Sequence, residues 1–221
     1  MPFLILVVLV ITVIGGIYSM KQAHKRLEGL FELAQRLGLN FSAVEDYELA
    51  ARYNFLKELA QGENRYARNV LSGTYQQNQV LAFDYHYETY TEGKGGRQTH
   101  DHWFSFFILT LPAAFPDLTI RRENFLIKVA QAFGYQDIEF ESAEFSKAFC
   151  VRSPDKKFAY DVCNAKMMEY LLANRDLSVE IGNQVLALAF NACLSVEQVE
   201  SNLQRLVEIR SRLPEYLFTK V

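Results

Sequence analysis

The chain changes its hydrophobic period several times, and each change marks an element. From Met1 to Met20, "MPFLILVVLVITVIGGIYSM", no side chain is charged, and about 20 apolar residues are what a helix needs to cross a hydrocarbon core. Residues 1–22 are therefore expected to form a single transmembrane anchor. A cleavable signal peptide would carry a basic n-region and a small-x-small cleavage site, and neither stands in this segment. Lys21, Lys25 and Arg26 follow at once. Positive charge is retained on the cytoplasmic side, so these three make a membrane-flank basic set and the remaining chain is expected to face the cytoplasm.

Residues 23–221 read as one soluble α+β domain, helical over 23–62 and mixed over 68–221. Leu27, Leu30, Phe31, Ala34 and Leu37 recur at helical spacing, and Gly38 stands where a left-handed cap belongs. A second helix is expected from about Val44 to Gln61, stopped by Gly62. From Asn69 the period becomes two. The runs "NVLSGTY", "QVLAFDYHYETY" and "RQTHDHWFSFFILTL" predict three antiparallel strands, with Gly93, Gly95 and Gly96 turning the second hairpin and Pro112 and Pro116 ending the third strand.

Phe125, Leu126, Val129 and Phe133 then predict a helix, "DIEFE" and "FSKAFCV" two short strands, and Ser153 with Pro154 the start of a helix running to about Asn174. Leu177, Val179 and Ile181 alternate up to Gly182 and Asn183, which predict a two-residue hairpin turn. Ser195 with Gln198 three later makes a capping box. The stripe Val196, Val199, Leu203, Leu206 and Ile209 behind it predicts a C-terminal helix covering the sheet.

Charge and cysteines narrow the function classes. Lys plus Arg number 23 against 26 Asp plus Glu, so no strong field draws nucleic acid, and no nucleic-acid partner is expected. Cys150, Cys163 and Cys193 are odd in number and lack CxxC spacing, which indicates neither a disulfide framework nor a structural zinc site. No GxSxG, HExxH, Walker-type loop or GxGxxG occurs. No catalytic residue and no cofactor is nominated, and an enzyme is the less favoured class.

The residues "NVLSGTYQQNQVLAFDYHY", with "LAQRLGLNF" before and "FGYQDIEFES" and "FSKAFCV" after, carry a G-x-Y…V-x-x-F-D-Y-x-Y pattern. In this the chain resembles an uncharacterised family of bacterial proteins with one N-terminal membrane helix. The resemblance implies a soluble domain anchored at the inner membrane and names no catalytic residues. One departure is local: Gln76, Gln77 and Asn78 stand where such sequences often place glycine in the first hairpin turn.

The aromatic hairpin holds the candidate chemistry. His100 and His102 stand two apart on a strand, and a register placing His86 opposite His102 would gather all three as metal ligands with Asp84 and Glu88. A register shifted by one residue instead puts Leu81, Phe83, Tyr85 and Tyr87 on one face with Phe104, Phe106 and Ile108. It turns Asp84, His86 and Glu88 outward with Asp101 and Ser105. Burial selects the register with one consistently apolar face, so the second is favoured, and it parts His86 from the other histidines. Tyr85, Tyr87, His100, His102 and Trp103 remain as a candidate recognition surface. The expected function is a membrane-anchored, non-enzymatic interaction or scaffolding domain, touching the lipid bilayer through its helix and a protein partner through its surface. The alternative is a metal-binding protein or metal-dependent enzyme built on the His-x-His hairpin.

Overall fold

The computed structural model describes residues 2–93, 96–122 and 136–219. Helix α1 (Pro2–Leu37) runs without a break for 36 residues. It ends as its glycine predicts: Gly38, at φ 69°, donates its N–H to Gln35 O, and Leu39 donates to Ala34 O at 2.8 Å, the paired bonds of a Schellman cap. Among the described residues no helix is long and apolar enough to cross a membrane. Strand β1 (Asn40–Ser42) follows.

The expected 44–61 helix is much shorter. Only α2 (Tyr47–Arg52) is helical, capped by Asp46, whose carboxylate accepts from Leu49 N at 2.7 Å. Residues 53–61 continue as turns. Leu56 and Leu59 are buried there, so the segment is held by what it covers rather than by helical periodicity.

Three long strands, β2 (Glu63–Tyr75), β3 (Asn78–Gly93) and β4 (Gly96–Arg122), form the antiparallel meander. Gln76 and Gln77 both adopt positive φ, at 47° and 66°. The glycine-poor first turn therefore keeps the mirror-image hairpin geometry. The second hairpin closes on the Gly93–Gly96 pair. Pro112 and Pro116 do not end β4, which continues to Arg122. They lie where the pairing with the last strand, β6 (Ser178–Ala189), shifts register between Thr110, Phe115 and Leu118. At such irregularities a missing amide proton costs no ladder bond.

Nor is Gly182–Asn183 a hairpin turn. Asn183 has φ 49° and pairs with Phe115, so both strands bend together and β6 stays on one edge of β4. The other edge carries β3 along its first half and β5 (Phe149–Arg152) at Thr119–Arg122. The result is a six-stranded antiparallel sheet with β4 as its spine.

Between β4 and β6 the local signals compete. The helix expected over Phe125–Phe133 lies outside the described residues. "DIEFE" is not a regular strand, although Ile138 N donates to Val151 O. Most of "FSKAFCV" is helical: α3 (Ala143–Ala148) forms because Ser142 Oγ caps Phe145 N, and only then does β5 start. The single helix expected after Ser153 divides into α4 (Lys156–Val162), capped by Asp155, and α5 (Ala165–Ala173), capped by Asn164. Ser153 Oγ is bonded instead to Asp117 O. Asn164 Oδ1 accepts from Met167 N, a local bond that competes with continuing the helix. Helix α6 (Val196–Arg212) carries the expected capping box.

Helices and turns cover both faces of the sheet. On one face Phe83, Tyr85, Phe106 and Ile108 pack under Leu49, Leu56 and Leu59. On the other, Val80, Ala82, Phe107 and Leu109 pack under Leu30 and Leu33 of α1 and Val199, Leu203 and Leu206 of α6. The polar side of the central hairpin is therefore buried as well, because α1 covers much of the face that alternation alone would leave to solvent.

Candidate functional site

The register of β3 and β4 is the apolar-face one: His86 pairs with Trp103, Tyr87 with His102 and Tyr85 with Phe104. The sequence candidates consequently divide between faces. Tyr85 is fully buried, its hydroxyl donates to Leu59 O at 2.6 Å, and burial pushes its ionisation up to about 12. It is a core tie, not a recognition residue. Tyr87 stacks on His102 with ring centroids 4.5 Å apart, and His102 Nε2 lies 2.8 Å from Thr89 Oγ1. His100 lies on the exposed outer hairpin with its Nε2 2.9 Å from Thr91 Oγ1. His86 and Trp103 stand on the opposite face. His86, His100 and His102 are thus not brought together.

Asp84 was expected to face outward and is instead 2% exposed. Arg26 reaches it from α1 with both terminal nitrogens, at 2.6 and 2.9 Å, and sends Nε to Leu194 O at 2.8 Å. Asn69, Ser105 and the Cys193 thiol also donate to the carboxylate, and Ser105 Oγ accepts from Leu194 N. One member of the basic flank is therefore a clamp between α1, the sheet and the loop before α6. Lys21 and Lys25 stay exposed. A groove between α1 and the start of α6 lies beside them, lined by Ser19, Lys25, Glu32 and Glu197 among others.

Beyond the clamp, the same face carries a run of rings packed in tilted and edge-on contact. Tyr66 lies 4.6 Å from His86 and 5.6 Å from Trp103, and His86 lies 4.5 Å from Trp103. Arg68 sits over Trp103 at 3.9 Å, and exposed Tyr47 extends the array from Tyr66 at 5.3 Å. Of this surface, sequence reasoning named Trp103 as a recognition residue and His86 as a metal candidate, and none of the others. Tyr66 and Arg68 precede the run where alternation becomes legible, and Tyr47 reaches them by tertiary packing.

His86 is 3% exposed, yet its ring is surrounded by oxygens. Nδ1 lies 3.1 Å from Asn64 O and Nε2 lies 2.8 Å from Asp101 Oδ1. Glu88 is the next residue along this face and pairs across the strands with Asp101. Its two oxygens accept from Asn64 Nδ2 at 2.6 Å and Tyr90 Oη at 2.5 Å, and these bonds, Tyr90's first, hold its carboxyl below the usual range. Asn64 serves both groups from a left-handed conformation, φ 47°, at an irregularity in β2.

Elsewhere, Arg121 of β4 is buried with Glu58 and Glu180. Glu180 also accepts from the backbone of Lys57 and Glu58, which ties the 53–61 segment to the sheet. Burial pushes Glu180 up to about 7 and raises Glu58 against the pull of Arg121. Burial also raises the thiols of Cys150, to about 12, and Cys163, the reverse of what activates a nucleophile.

No protein-family model matches the chain, and no curated protein matches it. Among solved structures, it is similar to the crystal structure of the mycobacterial trehalose monomycolate transport factor A, TtfA, with a TM-score of 0.61 and 15% sequence identity. The match covers 86% of this chain and 95% of that one. At this identity the similarity speaks for a shared α+β fold alone.

Proposed function

We propose that this chain is a membrane-tethered, non-enzymatic interaction domain, held at a bacterial inner membrane by residues 1–22 with its folded part in the cytoplasm. The observation that carries the reading is the continuity of α1. The helix that begins in the uncharged segment is the same helix whose later turns lie on the sheet, and Arg26 locks it there through buried Asp84. A domain joined in this way is held at a set height and orientation instead of swinging on a linker. The twenty uncharged residues followed by Lys21, Lys25 and Arg26 support both the tether and its direction. The docking surface of this reading is Tyr47, Tyr66, Arg68 and Trp103, amphipathic rings with a stacked guanidinium, the residue types that anchor protein interfaces.

The Cys193 thiol lies beside Asp84 and burial pushes it up to about 12, so the topology test uses a thiol introduced at an exposed position of the folded part by Glu169→Cys. In spheroplasts, a membrane-impermeant maleimide is expected to label that thiol only after permeabilisation, and the chain is expected to resist alkaline carbonate extraction. Labelling of sealed spheroplasts would overturn the orientation, and release by carbonate would overturn the tether. Proximity labelling from the C-terminus should recover a partner that Trp103→Ala loses; recovery unchanged by that substitution would remove the proposed surface.

A further inference from the structure

The surroundings of His86 pose a hydrogen-bonding problem. The Asn64 carbonyl can only accept, so a proton on Nδ1 satisfies it. Asp101 as a carboxylate can also only accept, yet its oxygen lies 2.8 Å from Nε2. With that proton on Nδ1 the Nε2 lone pair points at the Asp101 oxygen, an arrangement that a metal ion held by both atoms would suit. The neighbours favour the metal. Glu88 pairs directly across the strands with Asp101, and like charges in that position destabilise a hairpin unless something compensates them. A divalent ion would balance both carboxylates.

We infer that His86, Glu88 and Asp101 form a binding site for a first-row divalent transition-metal ion such as Zn2+, supported by Asn64. Their ligand atoms lie within 4.8 Å of one another. Ions of this class hold nitrogen and oxygen donors at about 2.0–2.2 Å, so neighbouring donors stand about 3.0–3.5 Å apart, and the 2.8 Å between His86 Nε2 and Asp101 Oδ1 would open slightly to admit the ion. One imidazole with two carboxylates is a mixed N/O set suited to zinc and its neighbours rather than to calcium or magnesium. The supporting contacts are those a metal ligand needs. With Nε2 on the ion, the ring's far nitrogen would donate to the Asn64 carbonyl 3.1 Å away, and Glu88 is oriented by Asn64 and Tyr90. His86 is buried against Tyr66 and Trp103 while Asp101 is 62% exposed on its side chain. One side of the ion would thus open to solvent, leaving room for water or an anionic oxygen ligand. The inference does not rest on the tether or the partner proposed above.

The test is titration of the full chain in detergent micelles, stripped with a chelator, with Zn2+ by calorimetry and Co2+ by visible absorption. One Zn2+ per chain is expected. Asp101→Asn, at an exposed position with little fold risk, and Glu88→Gln should each weaken binding by at least about tenfold, the scale seen even for supporting residues. Asn64→Gly, which keeps the positive φ but removes the amide, should also weaken it. The paired variant His100→Ala/His102→Ala, and His24→Ala, which removes a His–carboxylate pair on α1, should bind as the native chain does. Absence of saturable binding, binding untouched by Asp101→Asn and Glu88→Gln, or loss of binding only with His100 and His102 would each overturn the site.

Discussion

Replacing Arg26 by Met keeps most of the aliphatic stem and removes the guanidinium that joins α1 to Asp84. The loss is three charge-assisted hydrogen bonds, two to the carboxylate and one to Leu194 O. Asp84 is left buried, with the side chains of Asn69, Ser105 and Cys193 still beside it. Breaking a buried ion pair from one side costs about 3–5 kcal/mol. Arg26 is 24% exposed on its side chain, so water can take its place in part, and about 2–3 kcal/mol is the expected loss. That is a large share of the roughly 5–15 kcal/mol that holds a domain together. Urea denaturation of the full chain in mild detergent measures it, read by the chain's one tryptophan, Trp103. Asp84→Asn alone should also destabilise, and the double variant should lose less than the sum, by about 1–3 kcal/mol of coupling. A loss below about 1 kcal/mol for Arg26→Met, or strict additivity in the cycle, would refute the clamp.

Glu180, pushed up to about 7 by burial, should make stability fall as pH rises. Between the ordinary carboxylate range near 4.3 and about 7 the folded state keeps a proton that the unfolded chain has released, so the contribution is complete below that window and lost above it. Glu180→Gln should flatten the denaturation profile across the window, and an unchanged slope would contradict the assignment. Tyr85→Phe leaves Leu59 O without its buried partner and should cost about 1–2 kcal/mol in the same denaturation assay. Gly62→Ala should destabilise by more than about 1 kcal/mol. Its φ is +62°, and a methyl there would stand 2.3 Å from Glu88 O. A thermal midpoint equal to the native one would show that the 62–63 corner yields easily.

What could be read from the chain followed the range of the interaction involved. Gly38, the Ser195–Gln198 box and the apolar parity of Phe83, Tyr85, Phe104 and Phe106 act within a few residues or across one hairpin, and each leaves a direct mark on spacing. Where two local signals conflicted, the winner was tertiary. Pro112 and Pro116 look like strand ends, but a bend shared with Asn183 absorbs them. The burial of Asp84 could not be read from alternation, because its partner is 58 residues away on α1. The same holds for the site around His86. The His-x-His spacing drew attention to His100 and His102, while the residue between them, Asp101, is the one that meets His86.

The unbroken course of α1 past its clamp also makes it a gauge of phase. Each residue of an α-helix adds about 1.5 Å of length and about 100° of rotation. Between Met20 and Arg26 there is no hinge to take up a change, since both lie inside one helix. One inserted residue there would turn everything N-terminal to it by nearly a third of a circle relative to Trp103 and Tyr66. Inserting seven would restore the facing almost unchanged at greater length. The direction in which the aromatic face looks is therefore encoded in a count of residues well outside that face.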